Sequence, residues 1–506
     1  MTLPDAVEEW ARRDPAAPAL IGLDGSVISY AELAETVAAR RGSLRGLGGV
    51  TAVVDGDIPL LAAVAGESVC APLPPGLAPD ELDTALRQLG ATYLILPGHE
   101  PVSTGIAAGP AVDAALLIRT SGSTGAAKLV PLTAGGLLYA AGIVATTLGL
   151  SPADRCLNPM PLHHTHGLVG AALATLGSGG SVTCLPRYSD EAMERALTTL
   201  APTWYTAVPS IHARVAALAE AGRLGSHGLR FARSASAPLT GALRARLGRA
   251  LGGVPVLSTY ALTEAPGQVC GHRPGDVIRD GSVGRAVGCE VAVVDGRILV
   301  RGPHVSAAHR SPDGWLRTGD LGTLTGDGEL FLHGREDDVI NRAGEKISPE
   351  DVEAALAADP RVADVVVFGA DDVVLGQAVV ALVVPADPGV SAGDLRLSRV
   401  LDRIVLTGRI PRSTTGKVNR KALAADLPAP GPDVLAELRR IWAEVLFLPD
   451  VEVDADFAGL GGGSLQAARI EAQVAARLGV ELPAFALQDA PTVRELAEMI
   501  EQSRMS

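Results

Sequence analysis

The sequence lacks each signature that would send a chain of this length to a membrane, a nucleic acid or an oxidising compartment. Its N-terminus, Met-Thr-Leu-Pro-Asp-Ala-Val-Glu-Glu, has neither a basic segment nor the apolar core of a secretory leader. Apolar runs such as Leu60 to Ala65 are too short to span a bilayer, so no membrane association is expected. There is no long Lys/Arg cluster, and the formal net charge of −14 opposes phosphate backbones, which argues against a nucleic-acid partner. The five cysteines (Cys70, Cys156, Cys184, Cys270, Cys289) form neither a CxxC nor a metal-ligand pair. Reduced, mostly buried thiols are the expectation. No internal repeat is found. These absences predict a cytoplasmic protein.

What is present is apolar mass and alternation. At 506 residues and 47% hydrophobic, the chain exceeds one core and predicts three or four folding units. Between about 111 and 300, strand-like runs (Thr203 to Ala207, Leu229 to Ala232) alternate with amphipathic helical patterns (Glu191 to Leu200, Ile211 to Ala221, Leu239 to Leu251). Such alternation implies a largely parallel sheet covered by helices. From about 297, short strands with Gly/Asp turns lead into an α+β segment ending near 425. Leu427-Pro428-Ala429-Pro430-Gly431-Pro432 reads as an extended linker. Beyond it, residues 433–506 form a helical segment with 13 acidic and 6 basic residues, a formal charge of −7.

The densest signal is Arg119-Thr120-Ser121-Gly122-Ser123-Thr124-Gly125-Ala126-Ala127-Lys128, which follows the strand-like run Ala114 to Ile118. Hydroxyls interleaved with glycines let backbone N–H groups close around phosphates, and Lys128 adds positive charge. It is not a Walker A loop, because its lysine follows alanine and precedes leucine. A flexible surface loop is the plain alternative.

Four further clusters follow. Tyr260-Ala261-Leu262-Thr263-Glu264 offers an aromatic face for a purine and a carboxylate for Mg²⁺, or a buried tyrosine beside a helix N-cap. Trp315 to Asp320 places an aspartate after a turn, where it can accept from ribose hydroxyls or serve as an ordinary turn residue. Gly334 to Ile347 contains Arg335, suited to ribose or phosphate, within a run that otherwise reads as a solvated loop. Pro411 to Lys417 ends in a lysine able to neutralise a carboxylate attacking a phosphate, or merely solvated.

Five clusters in this order resemble the adenylate-forming superfamily over residues 10 to 425: acyl-CoA synthetases, nonribosomal-peptide adenylation domains and luciferases. Within it the chain is most similar to the oxalyl-CoA synthetase-like branch. That likeness is carried by Met160 to Leu168, Thr203 to His212, Leu229 to Ala237 and Ile340 to Pro349. The resemblance implies ATP and Mg²⁺ as cofactors. Residues Thr120 to Lys128 would grip the phosphates, Glu264 beside Thr263 would coordinate Mg²⁺, and Tyr260 would flank adenine. Asp320 and Arg335 would hold the ribose, and Lys417 would bridge carboxylate and α-phosphate. Asp337 would be a hinge, and Gly344 would face an incoming thiol.

Asp456 to Leu465, with Pro491-Thr492-Val493, resembles a carrier domain whose Ser464 bears 4′-phosphopantetheine; a flexible connector is the alternative reading of Gly-Gly-Gly-Ser. A phosphopantetheinyl transferase and a downstream acyl-accepting enzyme are then implied partners.

The substrate follows from a departure. Amino-acid-activating relatives place an aspartate where this chain has His164, and an imidazole cannot replace that carboxylate. An ordinary α-amino acid is therefore not expected. His164, His166, Ser234, Ser236 and Ala261 would line a small polar pocket for a short carboxylic acid bearing a second polar or anionic group. Other departures are Ala127 for the usual proline, Leu129 for glycine, Ala134 for a frequent histidine, and a trimmed helix between Val390 and Val400.

The expected architecture is a large α/β N-terminal adenylation domain with mostly parallel sheets (1–334), a small mobile α+β subdomain (335–426), a linker (427–432) and an all-α four-helix carrier domain (433–506). The expected activity is ATP-dependent activation of the acid and thioester transfer to the chain's own carrier, in a secondary-metabolite pathway. The alternatives are a CoA ligase, loading of a separate carrier, and a non-catalytic scaffold.

Overall fold

The apolar pattern between Val50 and Leu132 condenses into one sheet, and the pattern beyond it into a second and larger one. This computed structural model describes residues 3–108, 113–120, 128–372, 375–387, 389–392, 395, 400–412, 418–427, 434–478, 480–483 and 486–505. Among them the chain divides into two compact units, Met1–Ala424 and Ala425–Ser506.

The first unit holds three sheets among the described residues. In the six-stranded sheet, Val50–Val54 pairs in parallel with Val69–Leu73 and Ala91–Ile95. At one edge Leu116–Thr120 turns back antiparallel onto Lys128–Leu132, with Thr120 opposite Lys128. Val50–Val54 and the first three residues of Leu116–Thr120 are buried and mostly apolar, as strands inside a covered parallel sheet should be. Thr133 then caps the helix Ala134–Leu148, its hydroxyl accepting from the Gly136 N–H at 3.1 Å.

The thirteen-stranded sheet is mixed. Arg155–Asn158, Trp204–Ala207, Phe231–Ser234 and Val256–Tyr260 are parallel neighbours, with helices in the connections between them and the strand Ser181–Cys184 also intervening between the first two. From Cys270 to Arg335 the pairing becomes antiparallel, because these strands are linked by turns and loops without helical crossovers, the short 3₁₀ turn Ala307–His309 being the one helical piece among them. The parallel expectation thus holds for the α/β half, and the short-strand pattern after 297 marks the antiparallel half. No helix starts at Thr263; Leu262 and Ala265 exchange backbone hydrogen bonds at 3.2 and 3.3 Å and make a tight turn.

A third, five-stranded sheet spans Ile340–Arg342 to Arg403–Leu406, with Pro349–Ala357 packed on it. Part of the 390–400 region lies outside the described residues. All five cysteines are free, and Cys70, Cys156 and Cys270 are buried. No helix among the described residues is long and apolar enough to cross a membrane.

The second unit comprises helices Val434–Leu446, Ser464–Leu478, Ala486–Asp489 and Val493–Met505. Val434, Leu438, Ile441, Trp442 and Val445 recur at helical spacing and are buried together with Phe457, Ile470, Val474, Leu496 and Ile500. Removing Trp442 would cost about 3–5 kcal/mol, a large share of the stability of so small a core.

Candidate active site

The parallel strands end side by side, and their last residues carry the polar groups. Ala207, Ser234 and Ser258 are in register at these ends. Ser234 is buried and its hydroxyl has no hydrogen-bond partner among the described residues. Two residues on, Ser236 adopts φ +72°, a left-handed conformation that costs a non-glycine residue about 1–2 kcal/mol. The turn aims its hydroxyl at His166: Nδ1 lies 2.9 Å from Ser236 Oγ, and Nε2 lies 2.7 Å from Thr206 Oγ1. Of the predicted pocket residues, His166 and Ser236 are thus brought together. His164 sits at the N-cap of the short helix Thr165–Gly167, its ring 4.3 Å from that of His163. Ala261 begins the turn that carries Glu264.

The residue that sequence reasoning passed over is Arg233. It is 1% exposed, on the same strand as Ser234. Its guanidinium donates to Gly267 O at 2.7 Å and to Thr206 Oγ1 at 3.3 Å, and its Nε–H has no partner. No carboxylate pairs with it among the described residues. Gly170 makes the space, since a Cβ there would lie 3.1 Å from Arg233 Nη1. Gly170 falls in a π-helical turn, Leu168–Leu173, a device that often re-aims a helix at a functional site. Burial pushes the Arg233 pKa down to about 10, so it stays charged at neutral pH. Burial, and then the Arg233 charge, hold His166 well below the usual imidazole range and therefore neutral. The ends of these strands thus carry one buried positive charge without a counter-charge among the described residues. A charged residue inside the otherwise apolar run Phe231-Ala232-Arg233 was the available signal.

The bond from Arg233 to Gly267 O fastens this wall to the loop that holds Glu264. Glu264 is half-buried, its backbone carbonyl accepts from Ser306 N at 2.7 Å, and its carboxylate makes no bond among the described residues. No cluster of three or more metal-ligating side chains exists among the described residues. One available carboxylate suits Mg²⁺, which keeps most of its shell as water and phosphate oxygens, better than it suits a fully protein-ligated metal.

At the end of Val256–Tyr260, the Tyr260 hydroxyl donates to Asp320 Oδ2 at 2.5 Å, and Arg335 Nη1 donates to Asp320 Oδ1 at 2.9 Å. Asp320 and Arg335 face each other across an antiparallel pair. Tyr260 is 6% exposed and packs with Val269, Ile298 and Leu330. Tyr260→Phe is expected to raise the KM for ATP about 10-fold in pyrophosphate exchange with kcat retained, the magnitude of one hydrogen bond to a charged group. An unchanged KM would remove Tyr260 from the nucleotide site.

Thr120 and Lys128 end the two paired strands that bracket the glycine loop. Ser121, Gly122, Ser123, Thr124, Gly125 and Lys417 lie outside the described residues. Asp337 is exposed in the 3₁₀ turn Glu336–Asp338. Gly344, at φ +92°, makes the turn between Ile340–Arg342 and Glu345–Ile347, a conformation that suits glycine. Ser464 is the exposed first residue of its helix, after Gly461 at φ +85°, with Leu465 65% exposed beside it. An accessible hydroxyl at a helix N-terminus fits a phosphodiester.

Desolvated histidines also set the pH response. His163, His212 and His304 are each held at about 4 by burial. Unfolded, each binds a proton near pH 6.5. The stability gained by keeping them neutral is therefore complete above pH 6.5 and is lost as pH falls toward 4. Thermal melts should show Tm falling steadily from pH 6.5 to 5; a flat Tm across that interval would contradict this burial.

Comparison with known proteins agrees with this geometry. The profile of the AMP-binding enzyme family matches residues 103–308, that of the AMP-binding enzyme C-terminal domain matches 351–418, and that of the phosphopantetheine attachment site matches 436–500. The chain is 34% identical over 358 residues to an oxalate–CoA ligase of Arabidopsis thaliana, covering 62% of this chain and 67% of that one. It is 31% identical over 472 residues to a feruloyl-CoA synthase of Amycolatopsis sp, covering 81% and 95%. The o-succinylbenzoate CoA synthetase of Bacillus subtilis, solved with its acyl-adenylate intermediate, superposes with a TM-score of 0.71 at 26% identity, over 83% of this chain and 98% of that one. The chain belongs to the adenylate-forming AMP-binding enzymes, fused to a C-terminal carrier domain. It is an acid–thiol ligase.

Proposed function

We propose that this ligase activates a short carboxylic acid bearing a second anionic or strongly polar group, and loads it on its own carrier domain in a secondary-metabolite pathway. The observation that carries this reading is Arg233, a buried cation whose counter-charge the described residues do not supply. An uncompensated buried charge is strongly unfavourable, and an anionic substrate group would compensate it. Oxalate, the acid in the name of one relative, has that chemistry.

The reaction divides into two displacements. The substrate carboxylate attacks the α-phosphorus of ATP and expels pyrophosphate; a thiol then attacks the acyl carbon and expels AMP. Lys417 would neutralise the approaching carboxylate and phosphate in the first displacement. Thr120 to Lys128 would hold the phosphates, and the Asp320–Arg335 pair, braced by Tyr260, the ribose. His166, neutral and fixed from both ring nitrogens, and Ser234 would orient the acid. Mg²⁺, held by Glu264, would offset phosphate charge. Phosphopantetheine on Ser464 would supply the thiol. Asp337 would be the pivot between the two displacements, with Gly344 turned toward the thiol in the second. A phosphopantetheinyl transferase and a downstream acyl acceptor would be the partners.

The test is intact-protein mass spectrometry of phosphopantetheinylated chain with Mg-ATP and a panel of short di-, hydroxy-, amino- and keto-acids. A mass increment matching a dianionic acid supports the reading; an increment from an ordinary α-amino acid alone overturns it. A CoA-ligase reading is favoured by the relatives' names, and release of free acyl-CoA at the rate of adenylation would select it.

A further inference from the structure

The 3₁₀ turn Glu336–Asp338 joins the last strand of the thirteen-stranded sheet, Glu329–Arg335, to the five-stranded sheet that begins at Ile340. Its outer residues are tied in opposite directions. Glu336 accepts two bonds from Arg297, at 2.7 and 3.0 Å, and Arg297 opens the strand Arg297–Arg301 of the large sheet. Asp338 accepts from Arg420 Nη1 at 3.0 Å, and Arg420 opens the helix Arg420–Ala425 on the other side of the turn in sequence. Arg420 is further held by Glu350 at 3.0 Å, Glu353 at 2.8 Å and Val367 O at 2.9 Å, all of the small α+β part. Asp337, between the two, is exposed and makes no side-chain bond among the described residues.

We propose that Arg297–Glu336 and Arg420–Asp338 are a pair of clamps that confine any backbone rotation between the two parts to Asp337 alone. This rests on the reading of Asp337 as the pivot between two half-reactions. Each clamp joins residues that move with the same body, so neither breaks when the small part turns. The contacts that do cross are of another kind. Ser348 Oγ donates to His333 O at 3.1 Å, and Glu350 packs against Gly334, where a Cβ would meet its carboxylate. These contacts hold one orientation and part in another, whereas the clamps hold in both. Glu336, Arg297, Asp338 and Arg420 are thus positioning residues. Without them three successive residues share the rotation, and the small part samples a broader set of orientations.

The experiment is single-molecule energy transfer in the full phosphopantetheinylated chain, with dyes on Val277→Cys and Ala358→Cys, both exposed, in a Cys184→Ser, Cys289→Ser background. It is read with Mg-ATP plus the acid panel, beside pyrophosphate exchange and single-turnover thioester formation. The parent should show two narrow distance populations. Glu336→Gln should broaden both and slow thioester formation roughly 2- to 5-fold, the scale of one exposed ion pair, and Asp338→Asn, at the more buried pair, should do so at least as strongly, with exchange changed less than about 2-fold in each. Arg297→Glu with Glu336→Arg should restore the parent widths. One population in the parent under every condition would refute the pivot itself. Two populations whose widths ignore the variants, a parallel fall in both half-reactions, or no rescue by the charge swap would refute the clamps while leaving the pivot intact.

Discussion

Arg233→Met is expected to lower kcat/KM for the dianionic acid by roughly 30- to 1,000-fold, the equivalent of about 2–4 kcal/mol of lost charge-assisted contact. The same substitution should leave Tm within a few degrees of the parent. Methionine fills most of the volume of the arginine stem, and its removal of a buried, unpaired charge offsets the loss of the bond to Gly267 O. A structural arginine would behave in the opposite way: Tm would drop sharply and activity would fall only with the folded fraction. Steady-state kinetics with a dicarboxylate and its monocarboxylate analogue, beside thermal melts, separate the two. Should the ratio of the two substrates be unaffected, the second charge is not read at Arg233. His166 is held neutral, so it supplies no second positive charge beside Arg233.

Ser464→Ala is expected to abolish covalent loading completely while pyrophosphate exchange continues at the parent rate. The hydroxyl is the only group at that helix terminus that can carry a phosphodiester, and the carrier core does not depend on it. Ser464 is exposed, whereas the core is built from Trp442, Phe457, Ile470 and their neighbours. Intact mass of the protein after incubation with Mg-ATP and the acid panel reads the first quantity, and isotope exchange reads the second. Loss of both would mean that Ser464 supports the fold or the adenylation site, and the division of labour between the two units would fail.

Much of this protein could be read in advance because its signals are local. The apolar strand Leu116–Thr120 and the Gly-Gly-Gly-Ser before the helix Ser464–Leu478 are each set by residues within ten positions of one another, whereas the helix N-cap that Thr263 offered as one reading is a tight turn instead. Tight turns, phosphate cradles and helix caps are local interactions, and the residue types they require are few. Helix positions followed from periodicity within two or three residues. Pro209–Glu220 and Asp190–Thr199 fall where the apolar spacing placed helices. The antiparallel half of the large sheet was less legible in extent, because short strands such as Cys270–Gly271 carry too few residues to show a period.

The chemical class of this enzyme was set by its sequence alone, through the order of the five clusters and the carrier-domain motif. What only the tertiary structure decided is which side chains are deprived of water and partners. His166 and Ser236, 70 positions apart, were grouped through resemblance alone, and nothing in the local sequence says that Arg233 and Thr206 join them. The ends of parallel strands bring them together, and burial then lowers the pKa values of Arg233 and His166. The same holds for Glu336 and Asp338. They read as a solvated charged run until the fold sets Arg297 against one and Arg420 against the other. Turn and cap chemistry is written in neighbouring residues, whereas desolvation and charge pairing depend on distances in space that only the folded chain defines.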